Sequence, residues 1–438
     1  MTQASSTRDI QLQAIEVADS RGRPTVGVTL SLGKLQTYGD VPAGASKGED
    51  EAQTVPVADA LETIRGPIQE LLWAANADLC KHAELLRVER ALIERSGENH
   101  AKLGANAVLP VSRALWRVAA ALSGQPLFAY IRENEPDIAG TERVHFLMNI
   151  FNGGLHALRA DAGEQLGRDR IDIQEIMVVP VRFQSYKEAL QMGEHIDQAL
   201  KRDLQQRYGV ENVTRGDEAG FTVKGLGDSS EAIARVFDAV QAAGYRPGAD
   251  VKLALDVAAS SFFDASTGTY RFRGESLGSD EMIAYLTDLV DRYAGKVLSV
   301  EDGLAENDWE GWPKLTAAMR ERSVVTIGDD LFVTQQPRLQ KGINLDAADA
   351  ILVKVNQNGS VTGTLDVMKQ AKQHGIQSVI SHRSGETLDD SIADLAAASG
   401  AFGLKTGDPQ PEADFAERHT WVRRAKYLRM VEIEQAGG

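Results

Sequence analysis

The sequence predicts an α/β protein: a C-terminal β/α barrel over residues 141–438 behind a smaller N-terminal α+β domain over residues 1–140. The first observation is a series of short apolar runs between residues 251 and 407, each ending on an ionisable residue. Lys252–Leu255 leads to Asp256, Val297–Val300 to Glu301, and Val324–Gly328 to Asp329. Ile351–Val353 leads to Lys354, Val379–Ser381 to His382-Arg383-Ser384, and Ala401–Leu404 to Lys405. After the first, these ends lie 45, 28, 25, 28 and 23 residues apart, near the roughly 25 to 30 residues of a strand with its returning helix. Runs without alternation suit strands buried on both faces. The second observation is strict alternation at Val26, Val28, Leu30 and Leu32 between two turns, which marks a small antiparallel sheet with one wet face. The third is the cluster of Pro and charged residues from Asn134 to Glu142, a boundary between apolar segments.

Taken in order, Ile10, Leu12, Ile15 and Val17 give a first strand, Ser20-Arg21-Gly22 a turn, and Val26–Leu32 a second strand ending at Gly33-Lys34. Val41–Gly48 is a loop of small residues. The spacing predicts helix over 57–97 and a strong helix over 103–122, ended by Ser123-Gly124, in which Pro110 must sit early or start a kink. His145–Ile150 opens the second part, before the turn Asn152-Gly153-Gly154. Residues 157–170 form a polar excursion, 171–180 a strand, 185–208 a helix, 216–220 a loop and 229–244 a helix. In a β/α barrel the C-terminal ends of the strands share one mouth, where active sites sit. The spacing therefore sends three carboxylates, two lysines and a His-Arg-Ser triplet to one cavity.

A formal charge of −16 argues against nucleic acid or an anionic membrane as partner. The single cysteine, Cys80, rules out an intrachain disulfide and reads as a small buried hydrophobe. No run of 18 apolar residues exists, and the N-terminus lacks the apolar core of a signal peptide, so a cytoplasmic protein is expected. Neither Gly-Lys pair is followed by Ser or Thr, which excludes a P-loop.

Asp256, Glu301 and Asp329 form an all-oxygen set on successive strands. Close carboxylates raise one another's pKa, a divalent cation relieves this, and oxygen ligands suit Mg²⁺ or Mn²⁺. Lys354 beside such cations has its ammonium form disfavoured and becomes a base; the plain alternative is a salt bridge to neighbouring acids. His382-Arg383-Ser384 offers donors to a phosphate, or else a structural ion pair. Lys405 holds a second anionic group or is a solvated surface charge. Glu175 and Glu218 are candidate acids, although an isolated Glu in a loop is usually just solvated.

Longer motifs add to this. They include Asp19-Ser20-Arg21-Gly22, Gly44-Ala45-Ser46, Leu103-Gly104-Ala105-Asn106-Ala107, Met148-Asn149-Ile150, Gln174-Glu175 and Gly216-Asp217-Glu218. Val300-Glu301-Asp302, Gly328-Asp329-Asp330, Lys354-Val355-Asn356-Gln357 and Ser381-His382-Arg383-Ser384-Gly385-Glu386-Thr387 follow. With these the chain resembles the enolase family over nearly its full length. The resemblance implies the glycolytic dehydration of 2-phosphoglycerate to phosphoenolpyruvate, with two Mg²⁺ per active site and a homodimer or higher homo-oligomer. It implies Lys354 as the base and Glu218, supported by Glu175, as the acid. It implies Asp256, Glu301 and Asp329 on the first metal and Ser46 on the second. Lys405 would meet the substrate carboxylate, Arg383 and Ser384 the phosphate, and His156 and His382 the substrate pocket. The chain departs from the family pattern at Lys47, where Thr is usual, at Gly27, where Glu is usual, and in the longer stretch between His156 and Gln174. These altered loops favour an alternative, action on a related phosphorylated or phosphonylated carboxylate, as in a carboxyphosphonoenolpyruvate synthase.

Overall fold

The computed structural model describes residues 5–44, 48–154, 171–216, 218–410 and 418–437. Ser46, Lys47, His156 and the excursion 157–170, all singled out in the sequence, lie outside the described residues.

The N-terminal part is a three-stranded antiparallel sheet with helices on one face. β1 (Ile10–Ala18), β2 (Pro24–Leu32) and β3 (Leu35–Asp40) run in that order. Val26, Val28, Leu30 and Leu32 are buried, as the alternation requires. Gly27 packs under Tyr38: a Cβ there would lie 2.4 Å from the phenol oxygen, so a side chain at this position would require Tyr38 to shift. The helical stretch expected over 57–97 is divided. α1 (Val57–Thr63) and α2 (Gln69–Ala75) flank a π turn at Ile64–Ile68 containing Pro67. Proline removes a backbone donor, and the wider turn accommodates the gap. Asn76, at φ 44°, ends α2. The connector to α3 (His82–Ser96) buries Ala77 and Leu79 and exposes Cys80, contrary to the buried reading of the thiol. α4 (Ala105–Leu122) is the central helix, and α5 (Leu127–Asn134) follows. Pro110 lies in the second turn of α4.

The barrel opens with β4 (His145–Asn152) and β5 (Glu175–Pro180); residues 171–174, expected as part of that strand, precede it as irregular chain. α6 (Tyr186–Tyr208), the hairpin β6 (Val213–Arg215) and β7 (Phe221–Val223), and α7 (Ser229–Ala242) come next. β8 (Val251–Asp256) is followed by a ribbon of β9 (Phe263–Asp264), β10 (Thr269–Phe272) and β11 (Glu275–Leu277), then α8 (Ser279–Arg292). Strands and helices then alternate: β12 (Val297–Glu301), α9 (Gly311–Arg320), β13 (Val325–Gly328), α10 (Gln336–Leu345) and β14 (Ala350–Val353). α11 (Val355–Asn358), α12 (Val361–Gln373), β15 (Gln377–Ser381), α13 (Ser391–Ser399), β16 (Gly403–Lys405) and α14 (Arg418–Gln435) complete the chain. Side-chain caps set several starts: Ser185 accepts from Glu188 N, Asp228 from Ser230 N and Ser360 from Gly363 N.

Neighbouring strands run β16-β15-β14-β13-β12-β8-β5-β4, and β16 pairs with β4 to close the barrel. Seven of these eight strands point one way. β5 alone is antiparallel to both neighbours, with Glu175 opposite Asn152 and Asp256. Leu147, Met177, Ala254, Ile327, Leu352 and Val379 form a separate buried cluster inside the barrel. Alternate residues such as Leu253, Leu255, Ile351 and Val353 join the larger core around it. Both faces are therefore apolar, and the runs show no alternation. Among the described residues, no helix is long and apolar enough to cross a membrane.

The segment after β15 is the main seam with the N-terminal sheet. Ala43 and Gly385 exchange backbone hydrogen bonds of 2.8 Å, Ser20 N donates to Glu386 O at 2.7 Å, and Arg117 on α4 pairs with Asp389 and Asp390.

Candidate active site

Strand direction decides which side chains meet. β8 and β12 end on Asp256 and Glu301, β13 and β14 stop one residue before Asp329 and Lys354, and β16 ends on Lys405. β5 runs the other way, so its first residue, Glu175, reaches the same mouth. A cavity of about 210 Å³ opens there, lined by Glu175, Glu218, Asp256, Asp329 and Lys354, by His382, Arg383 and Ser384, and by Lys405. Glu301 is buried and meets the lining residue Lys405.

Lys405 is 3 % exposed, which excludes a solvated surface charge. Its ammonium lies 2.9 Å from Asp256 Oδ2, 2.7 Å from Glu301 Oε1 and 3.4 Å from Glu175 Oε2. Burial alone would push this ammonium down, but the three carboxylates carry it well above the ordinary lysine value. Burial, with Asp256 nearby, pushes the Glu301 carboxyl well up.

Lys354 donates to Asp329 Oδ2, and Gln357 Nε2 donates to Asp329 Oδ1 at 3.3 Å. Burial would lower Lys354, yet Asp329 raises it. This is the opposite of the direction expected beside cations, because here the nearest charge is a carboxylate. The Lys354 backbone N–H is held by Thr334 Oγ1 at 2.9 Å, and Thr334 also donates to Gln357 Oε1 at 2.9 Å. Asp302 braces the loop, its two oxygens accepting the backbone N–H groups of Asp329 and Asp330 at 2.9 Å each. Burial and Asp329 push Asp330 up to about 7.

His382 Nε2 lies 3.0 Å from Glu218 Oε2, and its Nδ1 lies 2.6 Å from a guanidinium nitrogen of Arg423 on α14. Burial, with Arg423 beside it, pushes His382 down to about 4. Arg383 is gripped by Glu51, at 2.6 and 3.2 Å, and by Asn356 Oδ1 at 3.0 Å. Arg215 ties the Glu218 loop to Asp408, three residues past β16: it donates to Ala219 O at 2.9 Å and to Asp408 Oδ2 at 2.7 Å. Glu51, Asp302, Arg215 and Arg423 all support the site, and sequence reasoning did not single them out. Asp302 carried a signal, since it follows Glu301 at the same strand end. Glu51 and Arg423 belong to distant segments.

The donor chemistry fits a hard divalent cation. Oxygens of Asp256 and Glu301 already converge on one positive point, and Glu301 Oε2 is buried with no hydrogen-bond partner among the described residues. The closest-set carboxylates, however, are Asp302, Asp329 and Asp330, whose oxygens lie within 4.8 Å of one another. The structure does not draw Asp256, Glu301 and Asp329 into one such group; Lys405 holds the first two and Lys354 the third. Asp302 is committed to two backbone donors, so it reads as a brace.

Two family models match the chain: the enolase N-terminal domain over residues 10–131 and the enolase C-terminal TIM barrel domain over residues 144–437. Both matches fall on the parts already described, the sheet-and-helix cap and the closed barrel with one reversed strand. The chain therefore belongs to the enolase family.

Proposed function

We propose that this protein catalyses the Mg²⁺-dependent dehydration of 2-phosphoglycerate to phosphoenolpyruvate. The observation that carries the reading is a single small cavity that gathers Lys354, the Glu218–His382 pair, and the cations Arg383 and Lys405. Asp256, Glu301 and Asp329 would hold one Mg²⁺ and Ser46 the other. When bound, Mg²⁺ supplies positive charge against the substrate carboxylate and so acidifies the adjacent C–H bond.

Lys354 Nζ takes the proton from C2. It must be uncharged to do so, and Asp329 is what now favours its ammonium form. Asp329, were it to hold the Mg²⁺, would no longer pair with Lys354. Glu218 gives a proton to the hydroxyl leaving C3, so that water departs and the C2–C3 double bond forms. Glu175, at the start of β5, lines the same cavity and would support this acid. Arg383 and Ser384 would hold the phosphate, Lys405 the carboxylate and His156 the wall of the pocket. We also read residues 1–140 as a capping domain and the protein as a cytoplasmic homodimer or larger homo-oligomer.

The test is absorbance at the enolpyruvate band with purified protein, Mg²⁺ and 2-phosphoglycerate. A rise that chelator and Lys354→Ala both abolish is expected. Turnover of a phosphonylated carboxylate with none of 2-phosphoglycerate would move the protein to the related reaction. Turnover of neither would sink the proposal.

A further inference from the structure

Arg423 lies outside the cavity yet touches one of its walls. It is fully buried on α14 and donates from one terminal nitrogen to His382 Nδ1 at 2.6 Å and to Arg383 O at 3.3 Å. Its other terminal nitrogen donates to Ser384 O at 2.9 Å. Room for it is built into the next loop. Gly407 has φ +74°, and a Cβ there would sit 2.5 Å from Arg423 Cδ and 3.0 Å from Glu218 O. Tyr427, one turn on, donates to Gly407 O at 2.8 Å.

A guanidinium has only donors. The imidazole nitrogen facing Arg423 must therefore be the bare one, and the proton must sit on Nε2. Nε2 lies 3.0 Å from Glu218 Oε2, so it donates there. We infer that Arg423 is a positioning residue that fixes His382 as its neutral, Nε2-protonated tautomer and thereby commits one carboxyl oxygen of Glu218 to the imidazole. Arg423 touches no reacting atom; it acts through His382. The kinetic consequence rests on the proposed reaction, in which Glu218 is the acid. The tautomer itself does not.

The charged groups facing His382 agree with this. Glu218 comes from the loop before β7, Arg423 from α14 and Glu386 from the loop after β15; burial and Arg423 disfavour imidazolium, and the two carboxylates favour it. The net direction is down, to about 4. Without Arg423, a proton on Nδ1 would meet no opposing donor.

The experiment uses the full-length chain, ¹⁵N-labelled and metal-free, with the imidazole signals of His382 assigned by comparison with His382→Gln. Wild type should show protonated Nε2 and bare Nδ1 from pH 8 to below 5. Arg423→Met removes the donor and should populate protonated Nδ1, with imidazolium appearing between pH 5 and 7. Arg423→Gln keeps an N–H donor without the charge and should keep the wild-type tautomer at pH 8. With 2-phosphoglycerate and Mg²⁺, Arg423→Met should lower kcat about tenfold with KM within about twofold, a fraction of what general acid catalysis contributes; Arg423→Gln should lie nearer wild type. Circular dichroism checks that each variant is folded. If Arg423→Met does not fold, the wild-type tautomer and the Gln variant still decide. Protonated Nδ1 or imidazolium in wild type at pH 7 overturns the inference. So does a folded Arg423→Met with unchanged tautomer and kcat. Absence of turnover in wild type would instead count against the proposed reaction and leave the tautomer measurement standing.

Discussion

At the scale of single residues, the ion pairs set the expected effects. Asp329→Ala should weaken Mn²⁺ binding by at least about 100-fold and abolish turnover, because one lost charged ligand leaves too few oxygens to compete with the hydration shell. Titration of Mn²⁺ measures it, and unchanged affinity would remove Asp329 from the donor set. Lys354→Ala should stop deuterium wash-in at the α-carbon and lower kcat by about 10²–10⁴, with substrate affinity largely kept. Persistent exchange would point to another base. His382 gives a signed pH effect. Its folded value, about 4, lies below the 6.5 of the unfolded chain. Between those values the unfolded state binds more protons, so stability falls as pH drops from 6.5 to 4, by of order 3 kcal/mol. Urea unfolding should show a shallower loss over that window in His382→Gln. Asp256, Glu301, Asp329, Lys354 and Lys405 were legible in the sequence because each ends or follows an apolar run, and a strand end in a barrel has only one place to go. Glu51 and Arg423 were not legible. Their partners lie 332 and 41 residues away, and nothing local to an isolated Glu or Arg announces such a contact.

At the scale of elements, the strands and most helices followed from periodicity, and the failures have physical causes. An apolar run carries no arrow, so the reversal of β5 could not be read from residues 171–180, although it is what puts Glu175 at the mouth. The π turn at Ile64–Ile68 interrupts a pattern whose apolar spacing barely changes across it. Gly407 offers a controlled test of how tightly the last barrel loop is built. Gly407 and Gly375 share φ +74°, but a Cβ at Gly375 would meet nothing within 4 Å. Gly375→Ala should therefore cost about 1 kcal/mol for left-handed backbone alone. Gly407→Ala should cost more, about 2–4 kcal/mol, since it adds a clash with Arg423 and Glu218 O. Equal costs in urea unfolding would mean that the loop yields easily.

At the scale of the whole molecule, the barrel mouth and the N-terminal sheet are joined through the stretch that carries the site. Residues 382–384 line the cavity, and residues 385–390 bind Ala43, Ser20 and Arg117. Glu51, from the N-terminal part, holds Arg383 directly. Arg117→Ala should loosen this seam. Limited proteolysis should then cut near residues 134–142 faster, and KM for the phosphorylated substrate should rise as Arg383 loses its fixed position. An unchanged cleavage rate would show that the other contacts suffice. On the proposed activity, the same seam would make the protein a coincidence device. Cut into segments 1–140 and 141–438 and expressed as separate chains, neither piece should turn over substrate, because one lacks the chemistry and the other lacks the scaffold that holds its Arg383. Activity should return only where both pieces meet, so fusing each to one of two interacting proteins would convert that encounter into an enzymatic readout.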